Sequence, residues 1–478
     1  MAECQSLSNL TINHLPDEVL LEIFDIFREG DRGFFPDPQC TNFLCFILTH
    51  VCRRWRAIIF ASPSRLDLRI TVGPERPRHL RTILSGPLPI FINYDFDADF
   101  EHLDMTKSSL WRLRSALKKS DRVRMISFCG PRPWFDELFS ATNCTFPELE
   151  SVVLHSRYSQ DLKIPETFLG GPDLSNLHLQ RLELCHFSFK SISRLLLSTS
   201  TLTDLELKIG DAFGITSPET SLLACLQGMP FLCRLNLLVT SSIPLEYLSP
   251  PLASHSTLKD SIVPLKKLTW FRYAGHSGLL EAIVPGLSAP ALSNAEMELS
   301  DQILSPIVHL SRFIDEIKEH WRTADVSLGP LCRFSLLDRR IRSLLCLGFR
   351  PEPGKSPKSI MQMRGALSSK LISVEELRIF IAAKVAEESD ISWHKFYQHF
   401  PNVKVIQPEF TDPSCFAGTL LQDLEKHVDD LAYFPALEEI KVYCYKFGWQ
   451  CESELAAFEP FISARQRAGR PVKVYFLL

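Results

Sequence analysis

The N-terminal part of the chain shows two apolar stripes with the three- and four-residue spacing of amphipathic helices. Pro16 stands where a first helical turn would begin, and proline is tolerated there without loss of a hydrogen bond. Asp17 and Glu18 follow it and suit the positive end of a helix dipole. The apolar positions of the first stripe are Val19, Leu20, Ile23, Phe24 and Phe27, and those of the second are Leu48, Val51, Cys52, Trp55, Ile58 and Ile59.

The segment between the two stripes has a different composition. Residues 30–40 (GDRGFFPDPQC) contain two glycines and two prolines, which predict a loop. Arg53, Arg54 and Arg56 fall on other faces of the second predicted helix, and Pro63 ends it. Helices this short cannot bury all of their apolar surface among themselves. The stripes therefore either pack on the rest of the chain or present an exposed patch to a partner.

Two sequence signatures lie within these stripes. Residues 15–20 read LPDEVL and lead into Ile23 and Phe24, and residues 51–56 read VCRRWR. Together they resemble the F-box, and the long insertion between them is similar to that of F-box-like domains from large fungal families. The resemblance covers residues 12–66 and implies a trihelical module that binds a Skp-type adaptor of ubiquitin ligases. It implies adaptor contacts from Leu15, Pro16, Val19, Leu20, Ile23, Phe24, Val51 and Trp55.

After about residue 120 a weak unit recurs, in which an apolar residue and two mostly polar residues precede an alternating apolar pattern. The copies lie at 149–154, 179–184, 202–207, 232–237, 265–270, 374–379 and 437–442. The first five begin about 23 to 33 residues apart, and several follow a proline, as in Phe146-Pro147, Met229-Pro230 and Phe434-Pro435. The period of two predicts short strands with one buried face.

Helical patterns at 189–197, 221–226 and 279–287 separate these strands. Strand plus helix at this period resembles a leucine-rich repeat, although the asparagine ladder of that family is largely missing. Further expected elements are strands at 66–70 and 88–94, a helix at 110–119, a helical insert at 303–321, a polar loop at 351–358 and a terminal strand at 472–477. An α/β domain without true repeats is the alternative.

These patterns predict an α/β chain with an N-terminal all-α, trihelical F-box, followed by an irregular leucine-rich-repeat-like α/β solenoid. The expected domains are the F-box at 12–66, a connecting segment or solenoid cap at 67–120, and a repeat domain at 121–478. The chain has 478 residues, which suits two or three domains.

Composition excludes several classes of partner and location. The net charge of −4 gives no general attraction to nucleic acid or anionic membrane. No apolar run is long enough for a membrane span, and the first residues lack the basic start and apolar core of a secretory signal. The 14 cysteines are scattered without regular pairing, as expected of reduced thiols. The expected location is cytoplasmic, nuclear or both, with no contact to nucleic acid or membrane.

Catalytic and cofactor-binding motifs are absent from the sequence. It has no P-loop, no dinucleotide-binding fingerprint, no nucleophile elbow, no H-E-x-x-H helix and no C-x-x-C pair. The alternating acidic residues Asp95, Asp97, Asp99 and Glu101 lack the spacing of a calcium loop. Cys40, Cys45, His50 and Cys52 lack the spacing of a structural zinc site. We therefore expect no catalytic residue, no cofactor and no metal.

The resemblance implies the substrate-recognition subunit of an SCF-type E3 ubiquitin ligase, a complex of Skp adaptor, cullin and F-box protein. Its partners would be the Skp-type adaptor, through it the cullin, and an unidentified target protein bound by the repeats. A repeat scaffold that binds a protein partner outside any ligase is the alternative. An enzyme whose site is assembled from residues distant in sequence is a third hypothesis, and no motif supports it.

Overall fold

The computed structural model describes residues 12–31, 48–62, 70–73, 88–94, 107–157, 162–170, 177–210, 218–240, 262–300, 307–328, 332–338, 343–349, 356–381, 396–410, 434–443 and 450–477. Two compact units divide the chain. Unit 1 comprises residues 1–154 and 166–178, and unit 2 comprises residues 155–165 and 179–478. None of the helices within these described ranges is both long and apolar enough to cross a membrane.

Unit 1 begins with a 3-10 turn, Ile12–His14, and continues into helices and parallel strands. Its helices are α1 (Asp17–Asp31), α2 (Arg53–Ala61), α3 (Lys107–Leu117) and α4 (Arg132–Ala141). Its strands are β1 (Ile70–Val72), β2 (Ile90–Tyr94), β3 (Val123–Gly130) and β4 (Ser151–Ser156), which lie side by side in chain order, the last two residues of β4 belonging to unit 2. Pairing of β1 with β2 and of β2 with β3 is parallel.

An aromatic cluster forms the core under the strands of unit 1. The rings of Tyr94 and Phe128 lie 6.0 Å apart, and Phe128 meets Phe135 of α4 edge to face at 5.1 Å. Burial raises the pKa of Tyr94, so its hydroxyl keeps its proton and donates to the carbonyl oxygen of Ser109 at 2.9 Å. This bond ties β2 to α3.

Unit 2 repeats a strand and a helix. Its strands are β5 (Arg181–Cys185), β6 (Asp204–Ile209), β7 (Arg234–Val239), β8 (Val263–Pro264), β9 (Trp270–Gly275), β10 (Leu287–Ser288), β11 (Asn294–Leu299), β12 (Thr323–Leu328), β13 (Cys332–Asp338), β14 (Ser343–Phe349), β15 (Glu376–Ile381), β16 (Val405–Phe410), β17 (Glu439–Tyr443) and β18 (Lys473–Leu477). Its α-helices are α5 (Phe189–Ser198), α6 (Pro218–Gln227), α7 (Ser277–Ile283), α8 (Val308–Glu316), α9 (Ser356–Leu371) and α10 (Gln450–Arg467).

The main sheet of unit 2 grows almost in chain order, as β5-β6-β7-β9-β11-β14-β13-β12-β15-β16-β17-β18. All neighbours are parallel except the pairs β12–β13 and β13–β14. Consecutive helices from α5 to α9 also pack on one another. Contacts of each repeat mainly with the next are the defining property of a solenoid. Unit 2 therefore has a mixed α/β fold with a large parallel sheet and resembles a leucine-rich-repeat solenoid.

A recurrent tight turn leads into these strands. The turn spans four residues. The first is apolar, the second is usually a proline, the third is variable and the fourth is apolar. The backbone amide of the fourth residue donates to the carbonyl oxygen of the first. In Met229–Leu232 this distance is 3.2 Å, and in Phe434–Leu437 it is 2.9 Å. The four terminal side chains of these two turns are buried. Proline presets the backbone angle at the second position of such a turn.

Backbone hydrogen bonds link each turn to the preceding repeat. The amides of Cys233 and Arg234 both donate to the carbonyl oxygen of Thr203, and those of Thr269 and Trp270 both donate to that of Cys233. The hydroxyl of Thr269 also donates to the Cys233 carbonyl oxygen at 3.3 Å. This backbone ladder joins neighbouring repeats without the asparagines of the regular family.

Most of the predicted repeat strands are confirmed, and one is wrong in register. The strands at 149–154, 179–184, 202–207, 232–237, 374–379 and 437–442 each begin at the third residue of the predicted unit. The fifth unit is 268–273 rather than 265–270, because Phe271 and Tyr273 are buried and Trp270 is not. Two further units, 292–297 and 403–408, were missed because alanine, methionine and proline replace the usual leucines.

Other expectations differ from the structure in extent. The helical insert predicted at 303–321 is a helix only over Val308–Glu316 among its described residues, since Ile317 is extended. The loop predicted at 351–358 gives way to α9 at Ser356, and residues 351–355 lie outside the described ranges. The helix at 110–119 and the terminal strand at 472–477 are confirmed as α3 and β18. Of the strand expected at 66–70, residues 66–69 lie outside the described ranges, and the observed strand runs over Ile70–Val72. The strand expected at 88–94 is observed over Ile90–Tyr94.

Candidate functional site

The N-terminal helices of unit 1 form the first candidate site. Pro16 precedes α1, and its carbonyl oxygen accepts the amide of Leu20 at 3.1 Å. Cys52 is the N-cap of α2, where its sulfur accepts the amide of Trp55 at 3.4 Å. The two signatures therefore begin two helices. Residues 32–47 between the two signatures lie outside the described residues, so the third helix of the expected trihelical module stays a prediction.

Arg54 joins the two helices at their starts. Its Nη2 donates to the carbonyl oxygen of Leu15 at 2.6 Å, and its Nε donates to Oδ1 of Asp17 at 3.1 Å. The guanidinium thus holds Leu15, two residues before α1, and Asp17, the first helical residue, at once. Planar guanidinium geometry suits such two-point contacts. The Leu-Pro-Asp start of α1 is fixed in place by the arginine of the second signature.

Three of the predicted adaptor contacts face the inside of this helix pair. Leu20, Phe24 and Trp55 are buried, and the rings of Phe24 and Trp55 pack edge to face. The contact between Phe24 and Trp55 joins α1 to α2. The assignment of all three side chains as adaptor contacts stays a prediction.

The remaining predicted contacts leave apolar surface open. Val19 and Ile23 on α1 are each 37% exposed, Ile26 on the same helix is 69% exposed, and Val51 is 56% exposed. Spacings of four and three residues place Val19, Ile23 and Ile26 on one side of α1. We call these three residues the α1 stripe. Pro16 is exposed beside it in sequence, and Leu15 is half-buried. Contiguous apolar surface of this kind marks protein-binding sites.

Sequence reasoning missed two parts of this site. Ile26 did not enter the predicted contacts, although its distance of seven residues from Val19 gives the signal. Arg54 was assigned only to a polar face, and no sequence pattern indicates its bond to the Leu15 carbonyl. Cys52 was placed on the apolar stripe and instead caps α2. Cys40, Cys45 and the acidic residues 95–101 lie outside the described residues.

The open face of the main sheet in unit 2 is the second candidate site. Strand registers align one residue from each of ten strands on the sheet face opposite the buried leucines, which we call the central row. Its members are Glu183, Glu206, Asn236, Arg272, Glu296, Cys346, Ser335, Asp325, Arg378 and Gln407. Leucines such as Leu205 and Leu207 alternate with the row and are buried. The row therefore consists mainly of polar and charged groups, of which Asn236 and Gln407 are buried and the others half-buried.

Ion pairs organise the central row. Arg378 contacts Glu376, two residues before it on β15, at 2.6 Å, and the side-chain Nε2 of Gln407 donates to the same carboxylate at 2.9 Å. Arg272 and Glu296 lie 3.7 Å apart. Burial would raise the pKa of Glu183, but hydrogen bonds from His155 and Arg181 and their charges outweigh burial and lower that pKa. Glu183 is therefore an anion at neutral pH.

Comparisons with known proteins add little to this picture. No protein-family model matches the chain, and no curated protein matches it. Among solved structures, the leucine-rich repeat-containing protein LegL7 from Legionella pneumophila aligns with 82% of this chain and 97% of its own, with a TM-score of 0.30 and 11% identity. The similarity is too low to support an argument, so the resemblance to leucine-rich repeats rests on the strand order, turns and helices described above.

Proposed function

We propose that this protein is the substrate-recognition subunit of an SCF-type E3 ubiquitin ligase. The N-terminal helices bind a Skp-type adaptor and, through it, a cullin. The repeats of unit 2 bind a target protein. The protein itself is not an enzyme in this proposal, and its contribution is the proximity and orientation of the target.

The observation that carries the proposal is the exposed α1 stripe beside the Leu-Pro start of α1. Leu20 and Phe24 are buried, and Phe24 packs on Trp55 of α2, whereas Val19, Ile23 and Ile26 on the same helix are exposed. An arginine of the second signature also fixes the start of α1. A rigid helix with an apolar side is suited to a helical or grooved protein partner. Apolar anchors commonly dominate the affinity of such interfaces.

The central row supports the second half of the proposal. It offers carboxylates on β5 and β6 and guanidinium groups on β9 and β15. Mixed charges on a rigid sheet favour specificity for a partner with complementary charges. A protein target recognised by polar contacts fits this surface.

The proposal places the protein in the cytoplasm, the nucleus or both. None of the eight cysteines whose side chains the structure describes forms a disulfide, which suits a reducing compartment. Its charge of −4 supports no role in binding nucleic acid or membrane.

Co-purification of the full chain with a Skp-type adaptor tests the proposal. We expect Ile23→Asp to reduce adaptor recovery at least tenfold, because a buried unpaired carboxylate opposes binding. Ile372→Asp is the matched control, since Ile372 is an exposed isoleucine of unit 2. It should bind the adaptor like the native chain. Equal adaptor recovery with Ile23→Asp, or no recovery with the native chain, would contradict the proposal.

A repeat scaffold outside any ligase is the second candidate. The central row favours it, because this surface lies in unit 2 and does not require the N-terminal helices. Immunoprecipitation of the native chain separates the two functions. Recovery of adaptor together with cullin supports the ligase subunit, whereas recovery of adaptor without cullin supports the scaffold.

A further inference from the structure

Three residues with different metal-ligand atoms meet at one end of unit 2. Glu183 and Cys185 lie on β5, and His155 lies in the segment 155–165 of the same unit. Their ligand atoms all lie within 4.8 Å of one another. Nε2 of His155 and Oε1 of Glu183 are 2.7 Å apart. Cys185 is buried and Glu183 is largely buried, whereas His155 is one-third exposed and gives access from solvent.

We propose that His155, Glu183 and Cys185 bind a zinc ion. Tetrahedral zinc has bonds of about 2.0–2.3 Å to nitrogen, oxygen and sulfur, which puts its ligand atoms roughly 3–4 Å apart. The observed separations, from 2.7 Å to at most 4.8 Å, bracket that spacing. Imidazole, carboxylate and thiolate together suit zinc, whereas calcium and magnesium prefer oxygen ligands alone. A fourth position remains for water or for a group of a binding partner.

The backbone fixes two of the ligands. Glu183 and Cys185 are separated by one residue on a strand that pairs in register with β6, Cys185 opposite Lys208. Directly after Cys185, the chain turns at His186, whose φ of 64° is left-handed. The amide of His186 donates to the carbonyl oxygen of Lys208 at 2.7 Å. The end of β5 is thus held by bonds that do not depend on the proposed ligands.

Arg181 is the outer partner of the site. Its Nη2 contacts Oε2 of Glu183 at 2.8 Å, the oxygen opposite the one that faces His155. Oε1 can therefore bind the metal while Arg181 orients the carboxylate, as outer-shell groups do in metal sites. Binding releases the Cys185 thiol proton to solvent, and His155 binds through Nε2 with its proton on Nδ1. Thiolate and carboxylate then balance the two charges of the zinc ion.

Cobalt substitution and zinc competition test the site in the full-length chain. We expect one Co²⁺ per chain with a thiolate-to-cobalt charge-transfer band in the near ultraviolet. Cys185→Ser should remove the band, and Cys225→Ser, which changes a buried thiol outside the site, should keep it. Zinc affinity against a chromogenic chelator should fall at least tenfold in Cys185→Ser and in His155→Ala.

The His155→Ala variant separates loss of a metal ligand from loss of folding, because His155 is the most accessible of the three ligands and its replacement should not disturb the core. Its circular dichroism should match that of the native chain while its zinc affinity falls. A charge-transfer band that persists in Cys185→Ser would overturn the proposal. Native zinc affinity in a folded His155→Ala chain would overturn it too. The site does not depend on the ligase proposal, because adaptor binding uses unit 1.

Discussion

The ring of Phe24 in α1 lies 4.9 Å from the ring of Trp55 in α2, with an angle of 62° between their planes. This edge-to-face pair joins two helices whose signatures are separated by a long insertion. Aromatic pairs of this geometry contribute about 0.5–1.5 kcal/mol beyond the burial of their surfaces. The pair holds α1 in the orientation in which its stripe of Val19, Ile23 and Ile26 faces outward.

Replacing Trp55 by alanine should release α1 from α2. Loss of a buried tryptophan costs about 3–5 kcal/mol, a large part of the stability of a small module. We expect hydrogen exchange of the α1 amides, measured by mass spectrometry, to approach that of an unfolded segment, and adaptor binding to disappear with it. Phe60→Ala on the same helix is the control, because Phe60 is exposed. Native exchange of α1 in Trp55→Ala would refute this role.

Replacing Arg54 by alanine should loosen only the start of α1. The change removes the bonds to the Leu15 carbonyl and to Asp17, and both groups are partly exposed, so the cost is about 1 kcal/mol. Exchange of the amides of the first hydrogen-bonded turn of α1, beginning with Leu20, which donates to the Pro16 carbonyl oxygen, should rise about fivefold, while the rest of the helix is unchanged. Arg53→Ala, which removes an exposed neighbouring charge, should leave them unchanged. An equal effect of both substitutions would indicate general electrostatics instead.

The two kinds of residue in the repeat turns should respond differently to alanine. Pro230 is exposed, and Pro230→Ala should cost at most about 1 kcal/mol through the entropy of the unfolded chain. Leu232 is buried, and Leu232→Ala should cost about 2–5 kcal/mol through lost packing. Chemical denaturation of the full chain, with exchange of the β7 amides, distinguishes the two. A larger loss from Pro230→Ala would mean that the backbone angle dominates the turn.

Cys225 should resist alkylation in the folded protein. Burial raises the pKa of its thiol to about 11, and the thiol donates to the Ser193 carbonyl oxygen at 3.7 Å. At pH 8 only roughly one thiol in a thousand is then the reactive thiolate, and the fraction rises as pH approaches the pKa. Iodoacetamide mapping at pH 8 should label the half-buried Cys233 at least tenfold faster. In denaturant the two rates should converge, and equal rates in the folded chain would contradict the burial.

The N-terminal signatures show what a sequence can and cannot specify about a helix pair. Periodicity correctly predicted helices around Val19 and Trp55, because helix formation depends on residues three and four apart. It treated Leu20 and Val19 as one stripe, although the structure buries Leu20 and exposes Val19. Which side of a wide stripe is covered depends on where the partner helix lies. The position of that helix is set by contacts of Arg54 and Trp55, which come from another part of the chain.

The repeats of unit 2 also combine features that the local sequence determines with features that depend on tertiary structure. The sequence by itself determined most of the repeat strands, because an apolar pair, often with a proline, followed by an alternating pattern is a local signal. It placed the fifth unit three residues early and missed the units at 292–297 and 403–408. It could not determine the antiparallel β13 between β12 and β14, nor the meeting of His155 with Glu183 and Cys185. Those neighbours are selected by pairing between distant segments, and only the tertiary structure sets the register that brings their side chains together.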